Sequence, residues 1–212
     1  MTTSATLTGL APDPRQPGHR LVEVDRGRLA SLPADLVDPL GLQVGDTLAP
    51  DVLARLRALA DLTVAERAAL RALARRGYAR LDLRRRLVGR EYSPEAVDAA
   101  LGRLAARGLI DDAGFAAHYA ARRAARATGP ARLVTDLLRQ GVDRAVAEAA
   151  VRQALEDEGI DPAAVARTAA RKRARQLRHL PAPVRRRRLL AFLGRRGYGS
   201  AELRALVDEL CR

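Results

Sequence analysis

From Asp51 to Arg212 the apolar residues recur at spacings of three and four, in runs closed by glycine and reopened by a residue that caps helices. This spacing places one apolar stripe on each of a series of short helices and is incompatible with the alternation of a half-buried strand. Thr63-Val64-Ala65-Glu66 has the form of a capping box, in which the Thr hydroxyl and the Glu carboxylate each satisfy an orphan amide. Ser93-Pro94, Gly129-Pro130 and Asp161-Pro162 set proline at a first helical position, where its fixed φ and missing N–H cost nothing. Asp143 and Ser200 are further N-caps, and Gly77, Gly108, Gly141 and Gly197 are stops. Aromatics make up only 3% of the chain, so the core must be built from Leu, Val and Ala, which suits close helix packing.

The helices repeat. A shift of 120 residues lays Leu70, Leu73 and Arg75-Arg76-Gly77-Tyr78 on Leu190, Leu193 and Arg195-Arg196-Gly197-Tyr198, and a shift of 56 lays Leu137, Gly141 and Val151 on Leu193, Gly197 and Val207. The two registers assign the glycine to different turns and leave the phase of the repeat open. The expected fold is mainly α: tandem three-helix repeats stacked into an elongated body, because a single narrow stripe per helix is poorly buried within one repeat. The divisions expected are 63–110, 111–160 and a strongly basic 161–212. Ahead of them, 1–20 reads as a flexible tail carrying Pro12, Pro14 and Pro17, and 21–62 as a small β-hairpin and linker with a short helix from Asp51.

Charge is the second constraint. The formal net charge is +13, and only Lys172 among the 38 basic residues is a lysine. Residues 162–201 hold twelve basic residues and no carboxylate, which leaves +1 for everything else. Arginine also replaces lysine on solvated faces without consequence, so the position of the charge matters more than its total. A balanced body with one positive segment suits a phosphate backbone. Arg171, Arg175 and Arg178 fall on one helical stripe, while Arg185 to Arg188 wrap a full turn, with Arg187 as the contact of choice. Weaker patches are Arg84, Arg85 and Arg86 with Arg90, and Arg122, Arg123, Arg126 and Arg132.

No residue set points to catalysis. GxxxxGK[ST], HExxH and GxSxG are all missing, and His19, His118 and His179 stand apart from any cysteine or carboxylate cluster. Asp111-Asp112 at a helix junction reads as capping, and Cys211 is alone. Tyr78, Tyr92, Phe115, Tyr119, Phe192 and Tyr198 read as core before they read as stacking platforms. The third helices show mostly Ala, Leu, Val, Asp, Glu and Arg rather than the Asn, Gln, Ser and Thr that accompany Arg in a recognition helix, which disfavours a transcription factor. No cofactor, no membrane association and a cytoplasmic monomer are expected.

One stretch is more specific than periodicity. Leu101-Gly102-Arg103-Leu104 leads into GLIDDxxFAxxY, formed by Gly108 to Tyr119, and Gly129-Pro130, Leu137, Gly141-Val142 and the FLxRRGY segment from Phe192 to Tyr198 follow in order. In that order they resemble the RecX family of recombination regulators, over about Thr63 to Arg212. The chain departs from the family where a Lys-Gly turn is common and it reads Gly89-Arg90-Glu91-Tyr92, and in using arginine for lysine. The resemblance implies a non-enzymatic protein of homologous recombination, DNA repair and the SOS response. Its implied partners are the bacterial RecA recombinase filament, single-stranded DNA and duplex DNA, and its implied effect is to limit ATP hydrolysis and strand exchange. The contact residues expected are Arg84, Arg85, Arg122, Arg126, Arg171, Arg175, Arg178 and Arg187. Asp111, Asp112, Phe115, Tyr119, Gly141 and Gly197 are expected to be structural. The competing expectation is a nonspecific DNA-binding architectural protein without recombinase selectivity.

Overall fold

The computed structural model describes residues 5–124, 126 and 128–212. Strand β1 (Ala5–Pro12) pairs antiparallel with β2 (His19–Val24), β2 with β3 (Gly27–Pro33), and β1 also with the two-residue β4 (Thr47–Leu48), giving the order β3-β2-β1-β4. The expected hairpin is the β2–β3 pair, turned through Asp25 and Arg26, both left-handed at φ 51° and 63°. Hydrogen bonds to β1 hold that unusual turn: the Asp25 carboxylate accepts from the Thr6 amide at 2.8 Å, and Thr8 Oγ1 accepts from the Arg26 amide at 2.9 Å.

The flexible tail is corrected over the residues described. Residues 5–12 form β1, with Ala5 and Leu7 buried, while 1–4 lie outside the described residues. Its stability comes from pairing with β2 and β4, contacts that local periodicity does not encode. One face of the sheet buries Leu7, Val22, Leu32 and Leu48 with Val37 of the short α1 (Ala34–Val37) and Leu56 of α2 (Pro50–Leu73).

The capping box at Thr63 is also overturned. Thr63 is buried in the middle of α2, a single 24-residue helix, and its hydroxyl donates to the Leu59 carbonyl at 2.8 Å. No glycine or proline interrupts residues 51–73, so the ladder runs through, and the hydroxyl is satisfied four residues back along it.

Among the described residues eight more helices follow: α3 (Arg80–Val88), α4 (Pro94–Ala106), α5 (Asp112–Ala124), α6 (Pro130–Gln140), α7 (Arg144–Asp157), α8 (Pro162–Gln176), α9 (Ala182–Arg195) and α10 (Ala201–Cys211). With the second half of α2 they make three tandem three-helix repeats. Their phase is fixed by each second helix, which buries a leucine pair, Leu83 and Leu87, Leu133 and Leu137, or Leu189 and Leu193. Each pair is followed by one left-handed residue, Glu91, Gly141 or Gly197, at φ 66°, 88° and 84°. A side-chain cap then opens each third helix: Ser93 Oγ accepts from Ala96 N, Asp143 from Ala145 N and Val146 N, and Ser200 Oγ from Leu203 N. The 56-residue register therefore aligns like with like. The 120-residue register lays the end of α2, a first helix, on the end of α9, a second helix.

Two compact units result. One extends to Gly77 and resumes at Leu83–Ile110, and the other comprises Tyr78–Asp82 and Asp111–Arg212. Among the described residues the second unit shows two apolar clusters. One is built on Ala116, Ala120, Leu133, Leu137 and Val151, the other on Ala166, Ala170, Leu189, Leu193 and Val207.

Candidate nucleic-acid interface

In α8 the buried side is nearly all alanine, Ala166, Ala170 and Ala174, followed by Leu177 beyond the helix. Small residues there bring the backbone close to its neighbours and leave the long arginines for the opposite side. Arg171, Arg175 and Arg178 are exposed; at 100° per residue Arg171 and Arg175 lie about 40° apart on α8, and Arg178 follows in the turn beyond its end. Arg178 Nε donates to the Arg175 carbonyl at 3.2 Å, which holds the end of the stripe against the helix. Among the described residues no carboxylate is within ion-pair distance of these three, whereas Arg167, one turn earlier, is bridged to Asp161 at 3.3 Å.

The arginine run of α9 divides. Arg185 Nη2 donates to the Cys211 carbonyl at 2.7 Å, and Arg186 Nε to Asp208 Oδ1 at 2.5 Å, so both are committed to α10. The Arg186 hydrogen bond and charge hold the Asp208 carboxyl below its ordinary range. Arg187 and Arg188 are exposed without such a partner among the described residues.

The other predicted arginines lie in different settings. Arg84 is bonded to both oxygens of Asp98, at 2.6 and 2.8 Å, and that hydrogen bonding raises its pKa further. Arg85 is exposed on α3. Arg122 is exposed near the end of α5, and Arg126 in the turn that follows. Arg123 and Arg132, which the sequence groups with them, converge with Arg139 on Asp136 at 3.9, 3.0 and 3.8 Å. The Asp136 side chain is only 12% exposed. Sequence reasoning passed over Asp136, although acids with arginines four residues before and three after are legible as a helical ion-pair set.

Asp136 also accepts from the Tyr119 hydroxyl at 3.4 Å, and the Arg123 guanidinium lies 4.8 Å from the Tyr119 ring centre. Burial first, then the Asp136 charge, push the Tyr119 pKa up, with Arg123 opposing. The Phe115 and Tyr119 rings are 6.2 Å apart at the edge of the second repeat's core. Asp111 accepts from Ala113 N at 3.0 Å, and Asp112 from Arg80 N at 2.7 Å. Gly141 faces the Leu81 side chain and Gly197 the Arg132 backbone, each with a positive φ. Among the described residues no group of three His, Cys, Asp or Glu is placed to hold a metal, and no helix is long and apolar enough to cross a membrane.

Family models for the first, second and third three-helix domains of RecX match residues 65–104, 111–151 and 161–207, in that order. The chain belongs to the RecX family. It is 36% identical over 170 residues to the regulatory protein RecX of Thermobifida fusca, covering 78% of this chain and 84% of that one. It is also 36% identical over 141 residues to the RecX of Halorhodospira halophila, covering 65% and 83%. A crystal structure of a regulatory protein RecX shares the fold with TM-score 0.72, over 97% of this chain and 99% of that one, at 20% identity. RecX proteins are non-catalytic regulators of RecA-type recombination proteins.

Proposed function

We propose that this RecX chain acts in the cytoplasm by binding recombinase filaments on single-stranded DNA, and that it limits their ATP hydrolysis and strand exchange. The observation that carries this reading is the uncompensated group of Arg171 and Arg175 on the exposed side of α8, whose other side is fixed by alanine packing, with Arg178 in the turn that follows, held back against the helix end by its hydrogen bond to the Arg175 carbonyl. Arginine forks bind phosphate bidentately and position a protein on a backbone without reading sequence. Arg122, Arg126 and Arg187 are exposed and add contacts of the same kind. Arg84 contributes less, because Asp98 already occupies its fork. Several weak contacts along a polymer combine into a tight one when their spacing matches it.

The test is R171E/R175E/R178E, assayed against recombinase-coated single strands by filament-dependent ATP hydrolysis, with bare single-stranded and duplex DNA titrated alongside in salt. Expected is loss of inhibition with an unchanged far-UV spectrum. Inhibition equal to that of the parent protein removes the stripe from the mechanism. Equal affinity of the parent for coated strand, bare strand and duplex favours an architectural DNA-binding protein instead.

A further inference from the structure

The second and third repeats can be compared position by position. Their first helices align on a shift of 50, which lays buried Ala116, Ala120 and Ala124 on buried Ala166, Ala170 and Ala174. Their second helices align on a shift of 56, which lays Leu133, Leu137 and Gly141 on Leu189, Leu193 and Gly197. On these registers Arg123, Arg132 and Arg139, the three arginines around Asp136, fall on Arg173, Arg188 and Arg195. All three cations are retained. The carboxylate they share is replaced by Phe192.

The third repeat thus keeps a set of arginine positions that, in the second, converges on an anion, but it has no anion of its own there. Arg173 and Arg196 hold their guanidinium carbons 5.6 and 4.7 Å from the half-buried Phe192 ring centre. Arg188 and Arg195 are exposed four residues before and three after Phe192, the helical spacings that set side chains beside one another. Among the described residues none of the four has a carboxylate at ion-pair distance, and Arg173 Nε is buried without a hydrogen-bond partner. Arg173 sits roughly 160° around α8 from both Arg171 and Arg175, so this is a separate surface.

We infer that Arg173, Arg188, Arg195 and Arg196 around Phe192 form a phosphodiester site for single-stranded nucleic acid, in which an unpaired base packs against the Phe192–Arg196 pair. The cations alone would suit any anion. The aromatic ring among them is what favours a single strand over an acidic peptide, since unpaired bases stack on rings and guanidinium planes. The inference rests on the nucleic-acid part of the proposed function and adds to it a contact made with the strand itself.

The test uses the full chain and a fluorescently labelled oligodeoxynucleotide without recombinase, followed by anisotropy across a salt series. R188Q/R195Q changes only exposed side chains and is expected to weaken binding and to lower the slope of log affinity against log salt by about 1.4, at ~0.7 per single-strand phosphate contact. D136N is the reciprocal variant. It releases Arg123, Arg132 and Arg139 from their internal carboxylate and is expected to tighten binding and steepen the slope. F192L keeps an apolar side chain and is expected to bind an ordinary strand about ten-fold more weakly, in the range of one lost base–aromatic stack, while an abasic strand is bound as before. Unchanged affinity and slope in R188Q/R195Q, with the melting curve intact, would overturn the site, and so would a D136N that binds no more tightly. If the parent protein inhibits coated filaments yet does not bind the bare strand, this inference fails while the filament reading stands.

Discussion

Gly197 shows how much one residue can carry in a scaffold of short helices. Its φ of +84° suits glycine, and a Cβ there would lie 2.4 Å from the Arg132 amide nitrogen and 2.9 Å from the Gly129 carbonyl oxygen. The same approach lets the Gly129 amide donate to the Arg196 carbonyl at 2.7 Å, which ties the start of α6 to the end of α9. G197A therefore combines a left-handed backbone penalty of ~1–2 kcal/mol with overpacking of about 1–3 kcal/mol. A loss of about 2–5 kcal/mol in urea denaturation is expected, and a loss below 1 kcal/mol would mean the turn relaxes freely. The sequence marks Gly197 as a helix stop, because glycine after an apolar run is a local signal. Its contact with Arg132 comes from tertiary packing and has no local signature. Phe192 is a similar case: its spacing is that of a core residue, and only the Asp136 comparison sets it apart.

At the level of elements, caps were legible and lengths were not. Ser93, Asp143, Asp161 and Ser200 all accept from amides of the helices they precede, as short polar side chains at those positions do in isolation. The same reasoning failed at Thr63, where four residues of capping form are outweighed by an unbroken ladder on either side. It failed again at β1, whose partners lie in β2 and at Thr47–Leu48. The contact between α9 and α10 makes a test at this scale, because Arg186 keeps the Asp208 carboxyl below its ordinary pKa. A depressed folded pKa stabilises the fold above the unfolded value, near ~3.9, and that contribution is lost as pH falls through the lower folded value. D208N removes it. The parent protein is expected to be the more stable at pH 6, with the gap to D208N closing as both are acidified below the ordinary carboxylate range. A gap that stays constant down to the acid end would mean that the ion pair contributes through packing alone.

For the molecule as a whole, what matters is where its charge lies. Residues 162–201 account for twelve of the +13, and of those twelve Arg167 and Arg186 are paired with Asp161 and Asp208. The remainder of the chain is near neutral, and its arginines are often tied internally, as Arg84 is to Asp98 and Arg103 and Arg107 are to Glu66. Two origins of polyanion affinity can then be separated. If net charge alone attracts the partner, any three reversals have the same effect, since long-range steering depends mainly on the total. If affinity comes from forks seated on phosphates, only reversals within the basic segment remove released counterions. R171E/R175E/R178E and R55E/R57E/R71E change the formal charge equally, and all six arginines are exposed, five of them on helices and Arg178 in the turn after α8. The third-repeat triple is expected to abolish most inhibition of filament ATP hydrolysis, and the α2 triple to leave most of it, at the same ionic strength. Equal losses would assign the activity to bulk charge, and the third repeat would then have no privileged role in holding the filament.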